Sequence, residues 1–213
     1  TSRSNRGHID SFEDYLDTVE TWINEAYTFG LPVFMLGHSM GGLIVIKMLQ
    51  SREFNLAGVI LSSPCFGTLI NPPKLLDTFS HIINLVYPSY RRGTGITIDM
   101  ATRNKEVIEF DLNDSLYVTT VSIRWYRELV KAMNEAFDFD EDFPDIPFLV
   151  MQAGDDKIVD RNLVREWFNY CPSSEKHYKE WPKLYHEIFN EPEREDVFQY
   201  AKTFVEARLR NIG

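Results

Sequence analysis

Apolar residues fall along this chain in two rhythms. Short uninterrupted apolar runs alternate with stretches of helical period, a pattern that predicts layered α/β structure. Ser11 stands where a helix cap would. Beyond it Tyr15, Val19, Trp22, Ile23 and Ala26 share one face of a helix reaching about Phe29, where Gly30 and Pro32 end it. Val33 to Leu36 is wholly apolar and reads as a buried strand, followed by a helix from about Met40 to Ser51. Ala57 to Ser62 and Phe148 to Ala153 read as two more buried strands, and Lys176 to Trp181 as a fourth. Helices are predicted over Arg161 to Tyr170, with Asp160 as N-cap, and over Glu191 to about Asn211. Strands apolar on both faces and separated by helices are those of a parallel sheet covered on each side.

Residues 65–145 break this rhythm. After Pro72-Pro73, the residues Leu75, Leu76, Phe79, Ile82, Ile83 and Val86 form a helical stripe that Pro88 ends. Arg91 to Gly95 reads as loop, Leu116 to Phe137 as helix, and Asp138 to Asp142 as an acidic turn. An insertion of this size between two strands suggests a cap over one end of the sheet, and the stripe is too broad for a solvated helix. Ordinary crossover helices are the plainer alternative.

Composition narrows the function classes. The 213 residues are 44% hydrophobic and 25% charged, ordinary for a globular domain. With 22 Lys and Arg against 32 Asp and Glu, the formal charge is −10, which disfavours nucleic acid and anionic membranes as electrostatic partners. No apolar run is long enough to span a bilayer. Cys65 and Cys171 are too few for a disulfide scaffold and show no zinc spacing, so they read as free thiols of a reduced, cytoplasmic setting. The chain begins at Thr1 rather than Met, which leaves its native start open.

The most informative segment is Gly37-His38-Ser39-Met40-Gly41-Gly42. Its G-x-S-x-G pattern follows a predicted buried strand and precedes a predicted helix, the setting in which a tight turn lifts a nucleophilic serine to the sheet's carboxyl end. Small residues at Gly37 and Gly41 let that turn pass close to neighbouring backbone. The Met40 N–H, at a helix N-terminus, is placed to face developing negative charge. A serine needs a base, and the base an orienting carboxylate, in the chain order Ser, Asp/Glu, His for this architecture. Of His8, His38, His81, His177 and His186, only the last two follow the third strand. His177 lies inside the fourth strand. His186 lies in a loop that lets its imidazole swing to Ser39, so His186 is the candidate base. The loop 154–160 offers Asp155, Asp156 and the helix-capping Asp160, and the spacing alone does not separate the first two.

These residues resemble a known group. GHSMGG, AGDDKIVD (153–160) and LYHEIFNE (184–191), with RGHIDSFEDYLDTV (6–19), NDSL (113–116) and VSIRWYREL (121–129), resemble the monoacylglycerol lipase and lysophospholipase branch of the α/β-hydrolase superfamily over essentially the whole chain. The family's acid precedes a basic residue and an apolar pair, which maps onto Asp156-Lys157-Ile158-Val159 and implies Asp156. The resemblance implies an α/β-hydrolase core over 1–65 and 121–213 and a mobile helical cap over 66–120 that lines an acyl pocket, with Leu75, Phe79 and Ile83 as substrate contacts.

The implied activity is hydrolysis of the acyl ester of a monoacylglycerol or lysophospholipid. Ser39, Asp156 and His186 are the expected catalytic set and the Met40 N–H an oxyanion donor, with no cofactor and no metal. A lipid or ester small molecule is the expected partner, with transient membrane-surface contact through the cap and a cytoplasmic or peripheral location. Aryl-ester or thioester hydrolysis on the same triad is the alternative enzyme reading, and a binding module on a hydrolase scaffold the non-catalytic one. One departure stands out. The family carries further strands and a His-Gly oxyanion loop upstream, and no His-Gly dipeptide occurs here. The expectation is that these 213 residues are the C-terminal portion of a longer polypeptide, poorly soluble or nearly inactive alone.

Overall fold

The computed structural model describes residues 6–70 and 72–212. In chain order the elements are α1 (Glu13–Tyr27), β1 (Phe34–His38), α2 (Met40–Ser51), β2 (Gly58–Ser62), α3 (Lys74–Val86), β3 (Arg91–Gly93), α4 (Ile98–Ala101), α5 (Lys105–Leu112), β4 (Thr120–Ser122), α6 (Ile123–Glu135), β5 (Phe148–Ala153), α7 (Arg161–Tyr170), β6 (Lys176–Trp181) and α8 (Arg194–Ile212). Four strands form a parallel sheet in the order β1-β2-β5-β6. Its register aligns Phe34 with Gly58, Val59 with Phe148, and Phe148 with Lys176.

The two central strands are buried throughout because both their faces are covered. Val59, Leu61, Phe148 and Val150 join α1, α2, α6 and α7 in one core, where Leu43, Ile46 and Trp167 are fully buried. Ile60, Leu149 and Met151 face the opposite way, onto Val197, Ala201 and Phe204 of α8. β1 stands at one end of the described sheet, with Leu36 exposed.

Several elements differ from the sequence expectation. Helix α1 starts at Glu13, and its inner face uses Phe12, Leu16 and Ile23, whereas Trp22 lies at the margin and is exposed. The expected helix from Leu116 is instead a short strand and a later helix. The β-branched run Val118 to Val121 favours extended backbone, and Ser122 caps α6 by accepting from the Trp125 N–H at 3.1 Å. Arg91 to Gly93, expected as loop, pairs antiparallel with that strand.

Much of the stripe on α3 faces outward, although Leu76 turns toward the interior. Its polar side meets α6: Asp77 Oδ1 accepts from Tyr126 Oη and Arg127 Nη1, both at 2.9 Å, and Asn84 Oδ1 accepts from Arg124 Nε at 2.8 Å. Leu75, Phe79, Ile82, Leu85 and Val86 are left on the surface.

Candidate active site

Three loops at the carboxyl end of the sheet converge. The first is the turn from β1 into α2, where Ser39 holds φ 52° and ψ −121°, a conformation costing about 1–3 kcal/mol for a residue with a side chain. Backbone bonds hold it there. Ser39 N–H donates to the Ser62 carbonyl at 2.9 Å, and the Ser39 carbonyl accepts from Gly42 at 2.9 Å and Cys65 at 3.0 Å. A Cβ on Gly37 would meet the Gly41 carbonyl oxygen at 2.6 Å, and one on Gly42 would meet Pro64 Cβ at 2.8 Å. Close approach therefore requires glycine at 37 and 42. Gly41 itself faces open space, contrary to expectation; its backbone, not its missing side chain, makes the contact. Met40 opens α2, so its N–H is among those a helix cannot bond internally.

The second loop follows β5. Asp156 is buried, and its Oδ1 accepts from the Ile158 and Val159 N–H groups, each at 2.9 Å. Its Oδ2 lies 2.9 Å from His186 Nδ1 and accepts from Gln152 Nε2 at 3.1 Å. Asp155, by contrast, turns to Lys157. The third loop, between β6 and α8, carries His186, whose side chain is 5% exposed. His177 lies on β6 with an exposed side chain, 3.6 Å from Glu175. Among the described residues Ser39 Oγ makes no direct hydrogen bond. Its neighbour His38 is close to the base, with the His38 and His186 rings 4.8 Å apart. Such bonds often tighten only when substrate arrives.

Sequence reasoning missed two side chains. Gln152 is the lone polar residue of a buried apolar strand, and that isolation was the available signal. His38 places Nδ1 3.1 Å from Ser62 Oγ. Burial, and then the neighbouring His186, push its pKa down from 6.5 to about 3, so it stays neutral.

A cavity of about 340 Å³ reaches Ser39 and Met40. Its lining includes Ile70, Leu76 and Ile96 from the inserted segment and Leu129, Met133 and Ile158 from the core. Leu75, Phe79 and Ile83, expected as contacts, are not in this wall. Because the polar side of α3 packs on α6, the helix turns Leu76 and Ser80 inward instead. Cys65 also borders the cavity, where burial pushes its thiol up to about 12. Cys171 is buried elsewhere, and its thiol is likewise raised by burial. Among the described residues no three His, Cys, Asp or Glu side chains gather as metal ligands, and no helix is long and apolar enough to cross a membrane.

A parallel sheet whose first described strand turns through a strained serine into a helix defines an α/β-hydrolase. Residues 1–193 match the family described as serine aminopeptidase S33 (Hydrolase_4), and the chain belongs to it. It is 55% identical over 207 residues to phospholipase YtpA of Bacillus subtilis, spanning 97% of this chain and 80% of that one. Two solved structures share the fold. A Paleococcus ferrophilus monoacylglycerol lipase has TM-score 0.85 at 24% identity, covering 95% of this chain and 77% of that one. A Saccharomyces cerevisiae monoglyceride lipase, solved with a substrate analogue, has TM-score 0.80 at 25% identity, covering 95% and 71%. Family and relatives together support an ester hydrolase of the lipase and esterase type.

Proposed function

We propose that the protein is a serine ester hydrolase that cleaves a monoacylglycerol or lysophospholipid through an acyl-enzyme. The observation that carries this reading is the strained Ser39 in the wall of a largely apolar cavity, next in sequence to His38, whose ring lies 4.8 Å from that of His186 in the Asp156–His186 pair. Ser39 Oγ attacks the acyl carbonyl while His186 Nε2 takes its proton. Asp156 holds the Nδ1–H tautomer and stabilises the imidazolium. The Met40 N–H stabilises the oxyanion. His186 then protonates the leaving alkoxide, and water, activated by His186, releases the fatty acid and restores Ser39. The residues alone perform these steps.

In this reading residues 66–120 are a cap, since Thr68, Ile70, Leu76 and Ile96 of this segment line the same cavity as Ser39 and Met40 of the core, 1–65 and 121–213. The exposed face of α3 suits contact with a lipid surface. Arg92, an exposed residue of β3, is the only charged residue among the described lining residues, and a guanidinium suits a phosphate, which favours the lysophospholipid arm. The experiment is labelling with a fluorophosphonate, followed by fatty-acid release from monoacylglycerol, lysophospholipid, aryl-ester and thioester substrates. An adduct on Ser39 with release from the first two is expected. No adduct and no release, with the lipid still bound, would establish a binding module instead.

A further inference from the structure

Glu191 is a carboxylate wholly removed from water, and the mechanism above does not use it. Burying such a charge is costly unless donors replace its hydration. Here four do. Oε1 accepts from Thr102 Oγ1 at 2.7 Å and from the Arg103 N–H at 2.5 Å. Oε2 accepts from Arg103 Nε at 2.5 Å and from the Tyr185 N–H at 3.2 Å. The donors belong to two distant stretches. Thr102 and Arg103 connect α4 to α5, and Tyr185 immediately precedes His186.

The same two stretches are tied again around this carboxylate. Glu187 N–H donates to the Ala101 carbonyl at 2.8 Å, and Asn104 Nδ2 donates to the Asn190 carbonyl at 3.0 Å. The backbone N–H on each side of His186 is thus fixed, one by Glu191 and one by Ala101. The loop has no regular secondary structure across residues 182–193, so its backbone is held by such ties, with the Asp155 N–H to Leu184 carbonyl bond at 3.1 Å and the buried Leu184 and Ile188 as further anchors, while Asp156 holds the ring itself. We infer that Glu191 is a positioning residue for His186, its carboxylate clasping the α4–α5 connection to the loop that carries the imidazole. The inference rests on the hydrolase reading for its kinetic consequence and on the clasp geometry for its structural one.

Glu191→Gln tests it. An amide keeps one acceptor but points N–H groups at one of the two donor sets, so neither orientation satisfies all four donors. The expected result is a fall in kcat of about 10- to 100-fold, the order of effect produced by misplacing a catalytic group by about 1 Å. KM should stay within about twofold, and a short-chain and a long-chain p-nitrophenyl ester should lose equally, because the imidazole and not the acyl pocket is disturbed. The downfield proton resonance of the His186 Nδ1–H bonded to Asp156 should broaden or vanish. Glu193→Gln is the control: it removes the more exposed partner of Arg103 and should leave kcat within about twofold.

Wild-type kcat and an intact downfield resonance in folded Glu191→Gln would overturn the inference, even if its melting temperature fell. If Glu191→Gln does not fold, the milder pair Thr102→Val and Arg103→Gln decides, with lowered kcat at unchanged KM supporting the inference and wild-type kcat overturning it. If the wild-type protein neither labels nor hydrolyses esters, the hydrolase reading fails, and the resonance decides for Glu191. Its loss in Glu191→Gln supports the clasp, and its persistence overturns it.

Discussion

Strand β5 and helix α3 are both rich in apolar residues, and they meet opposite fates. Every residue of β5 is buried, including its one polar member, Gln152. On α3 the polar residues Asp77, Ser80 and Asn84 are the ones that face α6, and Leu85 is 83% exposed. The difference teaches that a periodic apolar pattern reveals a face but not the direction it points. In β5 both faces are covered, so no choice arises. In α3 a network of Tyr126, Arg127 and Arg124 captured the polar side, and the apolar side was left outward.

The sharpest tests come where the two regions meet the chemistry. Ser39→Ala should abolish phosphonate labelling and lower turnover by about 10⁴–10⁶, and Asp156→Asn should cost about 10⁴. Asp155→Asn, whose carboxylate pairs with Lys157, should stay within about threefold in the same assay. Next, the comparison itself can be broken by denaturation. Leu149→Ala, a buried residue of β5, should lose about 2–5 kcal/mol in urea unfolding. Leu85→Ser on the outer face of α3 should change stability by less than about 0.5 kcal/mol. A large loss there would mean that something covers α3 in solution.

Smaller effects sharpen the inner side of α3. Leu76→Trp should lower kcat/KM about tenfold for a long-chain ester and spare a short one, because the added ring fills acyl space. Phe79→Ala should leave both within about twofold. The last effect is a slope rather than a step. His38 is neutral when folded but titrates near 6.5 when unfolded, so the folded state binds fewer protons between that value and about 3. Stability should fall as pH drops through this window, by up to about 1.4 kcal/mol per pH unit. In His38→Asn that contribution should disappear from urea unfolding measured at stepped pH.

The contrast also explains what could be read from residues alone. Helices α2 and α7 and strands β5 and β6 begin and end where the sequence places them: β5 is an apolar run after Pro147 and before Gly154, β6 alternates up to Pro182, and Asp160 caps α7. The β3–β4 ribbon has three residues on each strand and little burial, too short for any period to register. Asp155 and Asp156 could not be told apart by spacing. In space they differ because the Ile158 and Val159 N–H groups seize one oxygen of Asp156 and leave the other for His186. Glu191 was invisible in the sequence for a related reason. Three of its four donors, on Thr102 and Arg103, sit some 88 residues earlier in the chain and look like ordinary loop residues until the fold brings them together.

The two cysteines have a practical consequence. Both thiols are buried and protonated well beyond neutral pH, so alkylating dyes at pH 7 to 8 should leave them untouched. These 213 residues are in effect a blank background for site-directed labelling. A single thiol introduced by Leu85→Cys would be the one that reacts, and a spin label or environment-sensitive fluorophore there would report on the outer face of α3 as lipid is added.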